Sequence, residues 1–140
     1  MELGIIGLGK MGFNMAERLR LAGHKVVGFD FNKDATAKLT TTGSLGVNSL
    51  VDLVKNLPAP RAIWIMVPSG DPVDQTIARL EPLMEKGDTF IDGGNSNYKD
   101  TQRRHAELSP MPIVQRAKNS RRACGLKPQA RGVRRRRRWP

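Results

Sequence analysis

Apolar and polar positions alternate in two different rhythms along this chain, and the changes of rhythm mark its elements. Leu3, Gly4, Ile5 and Ile6 form an unbroken apolar run, as expected of a strand buried on both faces. Met11, Met15, Leu19 and Ala22 then recur at helical spacing on one face of a helix that Gly23 stops. Residues 25–29 read as a second strand ending at Asp30. Asn32 or Asp34 is placed to cap a short helix through Leu39, which the cluster from Thr40 to Gly43 ends. Leu45, Gly46 and Val47 fit a small edge strand. Ser49, with Asp52 three residues on as in a capping box, opens a helix over 50–57 that Pro58 and Pro60 break.

Residues 61–67 are the most strand-like run, apolar without alternation. Asp71 and Pro72 stand as N-cap and N1 of a helix with Val73, Ile77, Leu80 and Met84 inward, and Gly87 closes it. Thr89, Phe90 and Ile91 make another strand, and a polar helix follows over 97–108. Strands and helices alternating through short links predict an α/β fold with a doubly wound parallel sheet.

The first joint carries chemistry. Residues 7–12 read Gly-Leu-Gly-Lys-Met-Gly, a G-x-G-x-x-G between a strand and a helix. Gly7 allows the tight turn, Gly9 lets the backbone approach a pyrophosphate, and Gly12 lets helix and strand pack closely. Phosphates fit the free N–H groups at the helix start, where the helix dipole favours negative charge. Glycine-rich turns are common, but here the strand, the helix and a second strand all follow in order. Asp30 then lies at the roughly 20-residue spacing of an acid that holds a ribose diol. The sheet is therefore read as Rossmann-type and dinucleotide-binding.

Charge changes the picture only after it is located. The chain has 140 residues and a net charge of +11. Residues 1–110 carry 13 Lys or Arg and 13 Asp or Glu, whereas 111–140 carry 11 basic residues and no acid. The basicity belongs to the tail, so the organisation expected is a cofactor domain over 1–110 and a basic tail over 111–140. A single cysteine, Cys124, leaves no internal disulfide and fits a reducing compartment. No apolar run is long enough for a membrane span, and the first residues are needed for the opening strand rather than a signal peptide. A cytoplasmic location and no membrane partner are expected.

Ligands of such sheets bind at the carboxyl ends of the strands. Two further loops lie there, Met66-Val67-Pro68-Ser69-Gly70 and Asp92-Gly93-Gly94-Asn95-Ser96. The Asn95 amide can donate and accept, which suits a nicotinamide carboxamide or a substrate hydroxyl. A helix cap at Asn95 and Ser96 fits the spacing equally well. His24 reads as a turn residue, Trp64 as core, and His105 has no Cys or Asp at ligand spacing, so no metal site is expected.

The glycine motif, the Met66-Val67-Pro68 loop and above all Ile91-Asp92-Gly93-Gly94-Asn95-Ser96-Asn97-Tyr98-Lys99-Asp100 resemble the 6-phosphogluconate dehydrogenases, the shorter bacterial and archaeal-type members in particular. The resemblance covers residues 1 to about 109. The related 3-hydroxyisobutyrate dehydrogenases usually lack the Gly-Gly-Asn-Ser run. The resemblance implies that Gly7, Leu8, Gly9, Lys10, Met11 and Gly12 bind the pyrophosphate and that Val67, Pro68 and Ser69 line the cofactor. It also places Asn95 against both nicotinamide and substrate. The reaction it implies oxidises 6-phosphogluconate, decarboxylates the keto acid and releases ribulose 5-phosphate in the pentose phosphate pathway. Intact members are homo-oligomers. Asp30 accepts from ribose hydroxyls and repels a 2′-phosphate, and relatives using the phosphorylated cofactor commonly carry Asn-Arg here. This chain has Asp30-Phe31-Asn32-Lys33, so Asp30 and Asn32 complete the expected cofactor set. NAD is favoured, and NADP stays open because Lys33 is within reach of a phosphate.

The resemblance breaks off near Ser109. A further strand and a Gly-Thr-Ser-Gly-Gly substrate loop are expected next, and neither is legible, which leaves the sheet incomplete at its C-terminal edge. The catalytic Lys and Glu of the family belong to residues beyond this chain. The tail, ending in five arginines at 134–138, has three readings. It is a solvated appendage, a nonspecific nucleic-acid contact, or an out-of-frame product of GC-rich coding DNA. The last is favoured because it also accounts for the abrupt loss of resemblance. Two alternatives to the main reading are another β-hydroxyacid dehydrogenase, such as a 3-hydroxyisobutyrate dehydrogenase, and a non-catalytic dinucleotide-binding chain with a nucleic-acid-binding Arg tail.

Overall fold

A computed structural model describes residues 1–94, 97–107 and 113–115. Its strands are β1 (Glu2–Ile6), β2 (Lys25–Phe29), β3 (Leu45–Val47), β4 (Ala62–Ile65), β5 (Thr89–Asp92) and β6 (Ile113–Gln115). They form one sheet in the order β3-β2-β1-β4-β5-β6, parallel at every pairing. The helices are α1 (Lys10–Leu21), α2 (Lys33–Thr41), α3 (Leu50–Lys55), α4 (Asp71–Leu80) and α5 (Tyr98–Glu107). The strand order reverses between β1 and β4, where two β-α-β-α-β halves meet. Asn95, Ser96, Leu108, Cys124 and the tail from residue 116 onward lie outside the described residues.

The unbroken apolar runs have a direct cause. Successive side chains of a strand point to opposite faces, and both faces of this sheet are covered. Ile6, Ile63 and Ile65 pack with Leu53, Val73, Ile77 and Leu80 under α3 and α4. Ile5 and Val26 pack with Ala16 and Leu39 under α1 and α2, and Trp64 joins that side as a half-buried neighbour. Val73, Ile77, Leu80 and Met84 are all buried, as their spacing predicts, although Met84 lies just past the 3-10 turn of Glu81–Leu83.

Four details depart from the sequence pattern. On α1 the buried residues are Gly12 and Ala16, with Met15 and Leu19 partly covered, while Met11 and Ala22 are exposed. The helix begins so close to the sheet that only small residues fit beneath its first turns. Helix α4 is capped by Gly70, at φ 92°, so Asp71 falls inside the first turn. Strand β4 and helix α3 are shorter than their apolar runs, because Arg61 and Leu57 serve the turns around them. Finally, the expected incomplete edge is extended by β6, whose Ile113, Val114 and Gln115 pair with Phe90, Ile91 and Asp92. A three-residue strand has too little length to show a period, and it is held by hydrogen bonds to the free edge of β5. The caps of α2 and α3 follow expectation. Asn32 accepts from the Asp34 N–H at 3.0 Å, and Ser49 from the Asp52 N–H at 3.0 Å.

At the amino end of the sheet Asp88 is fully buried. Its carboxylate accepts from the Arg61 N–H at 2.6 Å, the Arg61 guanidinium at 2.9 Å and the Glu85 N–H at 2.9 Å. Arg61 Nε also donates to the Val54 and Leu57 carbonyls at the end of α3. Burial opposes the Asp88 charge, but the two backbone N–H groups and the guanidinium outweigh it and hold the carboxyl below its usual range. A depressed carboxyl contributes its stability above the unfolded-state value of about 3.9 and loses it as pH falls through the folded-state value. Replacing Asp88 with Ala should therefore cost about 3 kcal/mol near neutral pH. The difference from wild type, read from denaturant midpoints, should shrink as the medium is acidified below that range.

Candidate functional site

The site is built from the turn after β1. Gly7 adopts φ 92°, and a Cβ there would lie 2.7 Å from the Met66 carbonyl oxygen. Its N–H donates to the Phe29 carbonyl at 2.9 Å, so the turn stays tied to β2. A Cβ on Gly12 would land on the Gly7 carbonyl oxygen. That close approach brings the first turn of α1 directly over the carboxyl edge of the sheet. Gly9 caps α1 without any side-chain hydrogen bond, and the first turn holds no acidic residue. The orphan N–H groups of a helix start are therefore left to an external acceptor. Open space surrounds this point, for a Cβ on Gly9 would meet nothing within 4 Å. The residues thus pass the test for a pyrophosphate: donors, a favourable dipole and room.

Asp30, at the end of β2, forms the next wall. One carboxylate oxygen accepts from the Leu8 N–H at 2.6 Å and the other from the Asn32 N–H at 2.8 Å. Asp30 therefore fastens the glycine turn to the start of α2 and at the same time lines the cleft. Beside it Phe31 is 63% exposed, with the Arg79 guanidinium 5.8 Å from its ring centre. The opposite wall is the loop after β4, Met66 to Ser69, and the floor toward β5 is Gly93 and Gly94. Gly93 packs against the Trp64 indole and leaves no room for a side chain. Asp92 accepts from the Gly94 N–H at 3.0 Å, which shapes that loop. Together these walls enclose a cleft of about 700 Å³.

Of the residues singled out in the sequence, Gly7, Gly9, Lys10, Met11, Gly12, Asp30, Val67, Pro68 and Ser69 line this one cleft. Leu8 and Asn32 do not. Leu8 is buried, and Asn32 caps α2 beside a smaller neighbouring depression. Asn95 lies outside the described residues, and the cap position of α5 is taken by Asn97, which accepts from the Lys99 N–H at 3.1 Å. Lys33 is exposed at the start of α2 and is not part of the cleft wall. Met66, named in the sequence as the first residue of its loop, lines the cleft as well, whereas sequence reasoning missed Phe31, Pro72, Gln75, Thr76 and Arg79. On α4 a signal existed: Pro72, Gln75, Thr76 and Arg79 recur at helical spacing beside the buried stripe. Among the described residues no helix is long and apolar enough to cross a membrane.

Comparison with known proteins bears on what this cleft takes. A family model for the NAD binding domain of 6-phosphogluconate dehydrogenase matches residues 2–114. The NAD(+)-dependent, decarboxylating 6-phosphogluconate dehydrogenase of Haloferax volcanii is 43% identical over 104 residues, 74% of this chain and 35% of that protein. A solved 6-phosphogluconate dehydrogenase of Plasmodium falciparum, described with its cofactor NADP+ and its substrate 6-phosphogluconate, has a TM-score of 0.75 and 26% identity. It covers 82% of this chain and 26% of that one. The 3-hydroxyisobutyrate dehydrogenase of Mycobacterium tuberculosis, solved with L-serine, has a TM-score of 0.71 at 25% identity, covering 81% of this chain and 38% of that one. The chain thus spans well under half the length of these relatives. With the family match running from the first strand into the sixth, the chain belongs to the 6-phosphogluconate dehydrogenase family, of which it carries the NAD(P)-binding domain.

Proposed function

We propose that the cleft binds NAD in preference to NADP and that the domain serves the oxidation and decarboxylation of 6-phosphogluconate. The carrying observation is the uncapped start of α1, open above Gly9, with the Asp30 carboxylate on the adjoining wall. The first-turn N–H groups of α1 would hold the pyrophosphate, with Lys10 beside them. Asp30 would accept from the adenosine ribose hydroxyls, and Phe31 with Arg79 would flank the adenine. The other half of the cofactor would lie over the ends of β4 and β5, against Met66, Val67 and Gly93. When bound, the nicotinamide supplies a hydride acceptor. What the chain's own residues add is placement, and exclusion of water by the apolar walls. The ten-residue likeness over 91–100 supports 6-phosphogluconate over a 3-hydroxyisobutyrate-type substrate, and the similarity to the Mycobacterium tuberculosis structure keeps the latter as the second reading.

Among the described residues, the ionisable ones lining the cleft are Lys10, Asp30 and Arg79. Asp30 is engaged by two backbone N–H groups, the Arg79 guanidinium offers donors and no acceptor, and Lys10 stands at the pyrophosphate end, so none is placed as a base for a substrate hydroxyl. The 140-residue chain mixed with 6-phosphogluconate and NAD should produce reduced cofactor no faster than buffer does. Absorbance of the reduced nicotinamide checks this, and turnover above that background counts against the placement.

Gly9 offers a clean separation of binding from folding. Its φ of −61° is open to any residue, and its Cβ position meets nothing, so Gly9→Val should melt like wild type. The same side chain would occupy the pyrophosphate's space, and calorimetric titration should show both NAD and NADP weakened. Gly12→Val, by contrast, should lower the melting temperature because it meets the Gly7 carbonyl.

Asp30→Ala should weaken NAD by roughly 1.5–3 kcal/mol, the worth of a hydrogen bond to a charged group. NADP should lose less or gain, since its 2′-phosphate no longer meets a carboxylate. Equal affinities for the two cofactors in wild type, unmoved by the substitution, would rule out this ribose assignment.

A further inference from the structure

Behind the cleft, outside its lining, lies a side chain that the functional reading does not use. Arg104 of α5 is only 2% exposed. Its guanidinium reaches three segments at once. Nε donates to Asp74 in the first turn of α4 at 2.5 Å, Nη1 to Asp92 at the end of β5 at 3.3 Å, and Nη2 to the Gly70 carbonyl at 3.4 Å. Arg103 donates to the second oxygen of Asp74 at 3.1 Å. Asp92 spends its other oxygen on the Gly94 N–H. The two carboxylates and two guanidiniums balance in charge.

We propose that Arg104 is a positioning residue for the nicotinamide half of the cofactor, fixing the loop after β4 and the loop after β5 relative to each other. The inference rests on the cofactor reading of the cleft. Asp30 marks the adenosine half at the end of β2, so the other half must cross the ends of β4 and β5, whose loops carry Met66 to Ser69 and Gly93 to Gly94. The loop after β4 ends at Gly70, and the loop after β5 starts from Asp92, the last residue of that strand. Arg104 holds both of those ends.

A purely structural role would not require an arginine. Buried ion pairs contribute little net stability compared with apolar residues of similar volume. The planar fork of five donors instead gives fixed geometry toward several acceptors, and that is what this position uses. The Asp74 carboxyl is held below its usual range, first by the hydrogen bond from Arg104, which agrees with the contact geometry.

The test compares NADH with ADP-ribose, which shares everything but the nicotinamide, on the full chain at roughly 0.15 M salt to screen the basic tail. Arg104→Met should weaken NADH by roughly tenfold, the scale of a misplaced binding wall, and return its fluorescence toward that of the free cofactor. ADP-ribose affinity should hold. Arg104→Lys keeps the charge without the fork and should fall between wild type and Arg104→Met, which also keeps the test alive if the Met variant does not fold. Parallel weakening of both ligands, or no change in either, overturns the positioning role. Failure of the wild-type chain to bind ADP-ribose overturns the cofactor reading and the clamp with it, whereas ADP-ribose binding with an unchanged NADH ratio overturns the clamp alone.

Discussion

The meeting of Gly12 with the Gly7 carbonyl governs the carboxyl edge of this molecule. A helix normally stands off a sheet by the depth of the side chains between them. Here there is no side chain, and the first turn of α1 rests on the backbone of the turn below it. The approach fixes three things together. It aims unpaired N–H groups along the sheet edge, keeps the Gly7 N–H on the Phe29 carbonyl, and leaves Met66 as the near wall of the cleft. One atom more at residue 12 would move all three. Ala16, one turn on and fully buried, continues the same narrow contact before Met15 and Leu19 widen it.

That small-residue contact also explains where sequence pattern was readable and where it misled. Strands buried on both faces are easy to see, because Ile5 and Ile6 or Ile63 and Trp64 cover opposite layers and leave no polar break. The stripe of α4 is equally plain, since large side chains fill its buried face. On α1 the tightest contacts come from Gly12 and Ala16, which carry almost no hydrophobic signal. Met11 carries a strong one, yet it is exposed and lines the cleft. Periodicity weighs residues by apolarity, whereas packing at this joint is decided by size. The cap of α4 was displaced for a related reason: Asp71 and Pro72 have the right chemistry, but Gly70 takes the positive φ that sets the start. Strand β6 follows from the pairing edge of β5, which no pattern within Ile113–Gln115 reveals.

Within the cleft, the legible part is the part encoded by backbone demands. Glycines at 7, 9 and 12 and an acid at 30 have to stand in that order for the turn to form, so spacing finds them. Phe31 and Arg79 come from elements far apart in sequence and meet only because the strand order reverses beside β1. Arg104 is harder still. On a polar helix it reads as one more solvated charge, and only the position of α5 beside α4 and β5 turns it inward.

Asp30 shows why cofactor preference in such a cleft is not a matter of one charge. Its two oxygens already hold the Leu8 and Asn32 N–H groups, so the same carboxylate that would face a ribose also anchors the glycine turn. Removing it leaves two backbone donors without their acceptor at the point where α1 must be held in register. A residue that welcomed a 2′-phosphate by being neutral or basic would have to surrender that anchorage or replace it from elsewhere. Arg79 already stands on the far side of Phe31, so positive charge is within the same wall. The constraint on changing the preference therefore lies in the loop: the turn needs an acceptor at residue 30 before it needs a charge there. Amide side chains meet that need in part, since Asn offers one acceptor oxygen where Asp offers two.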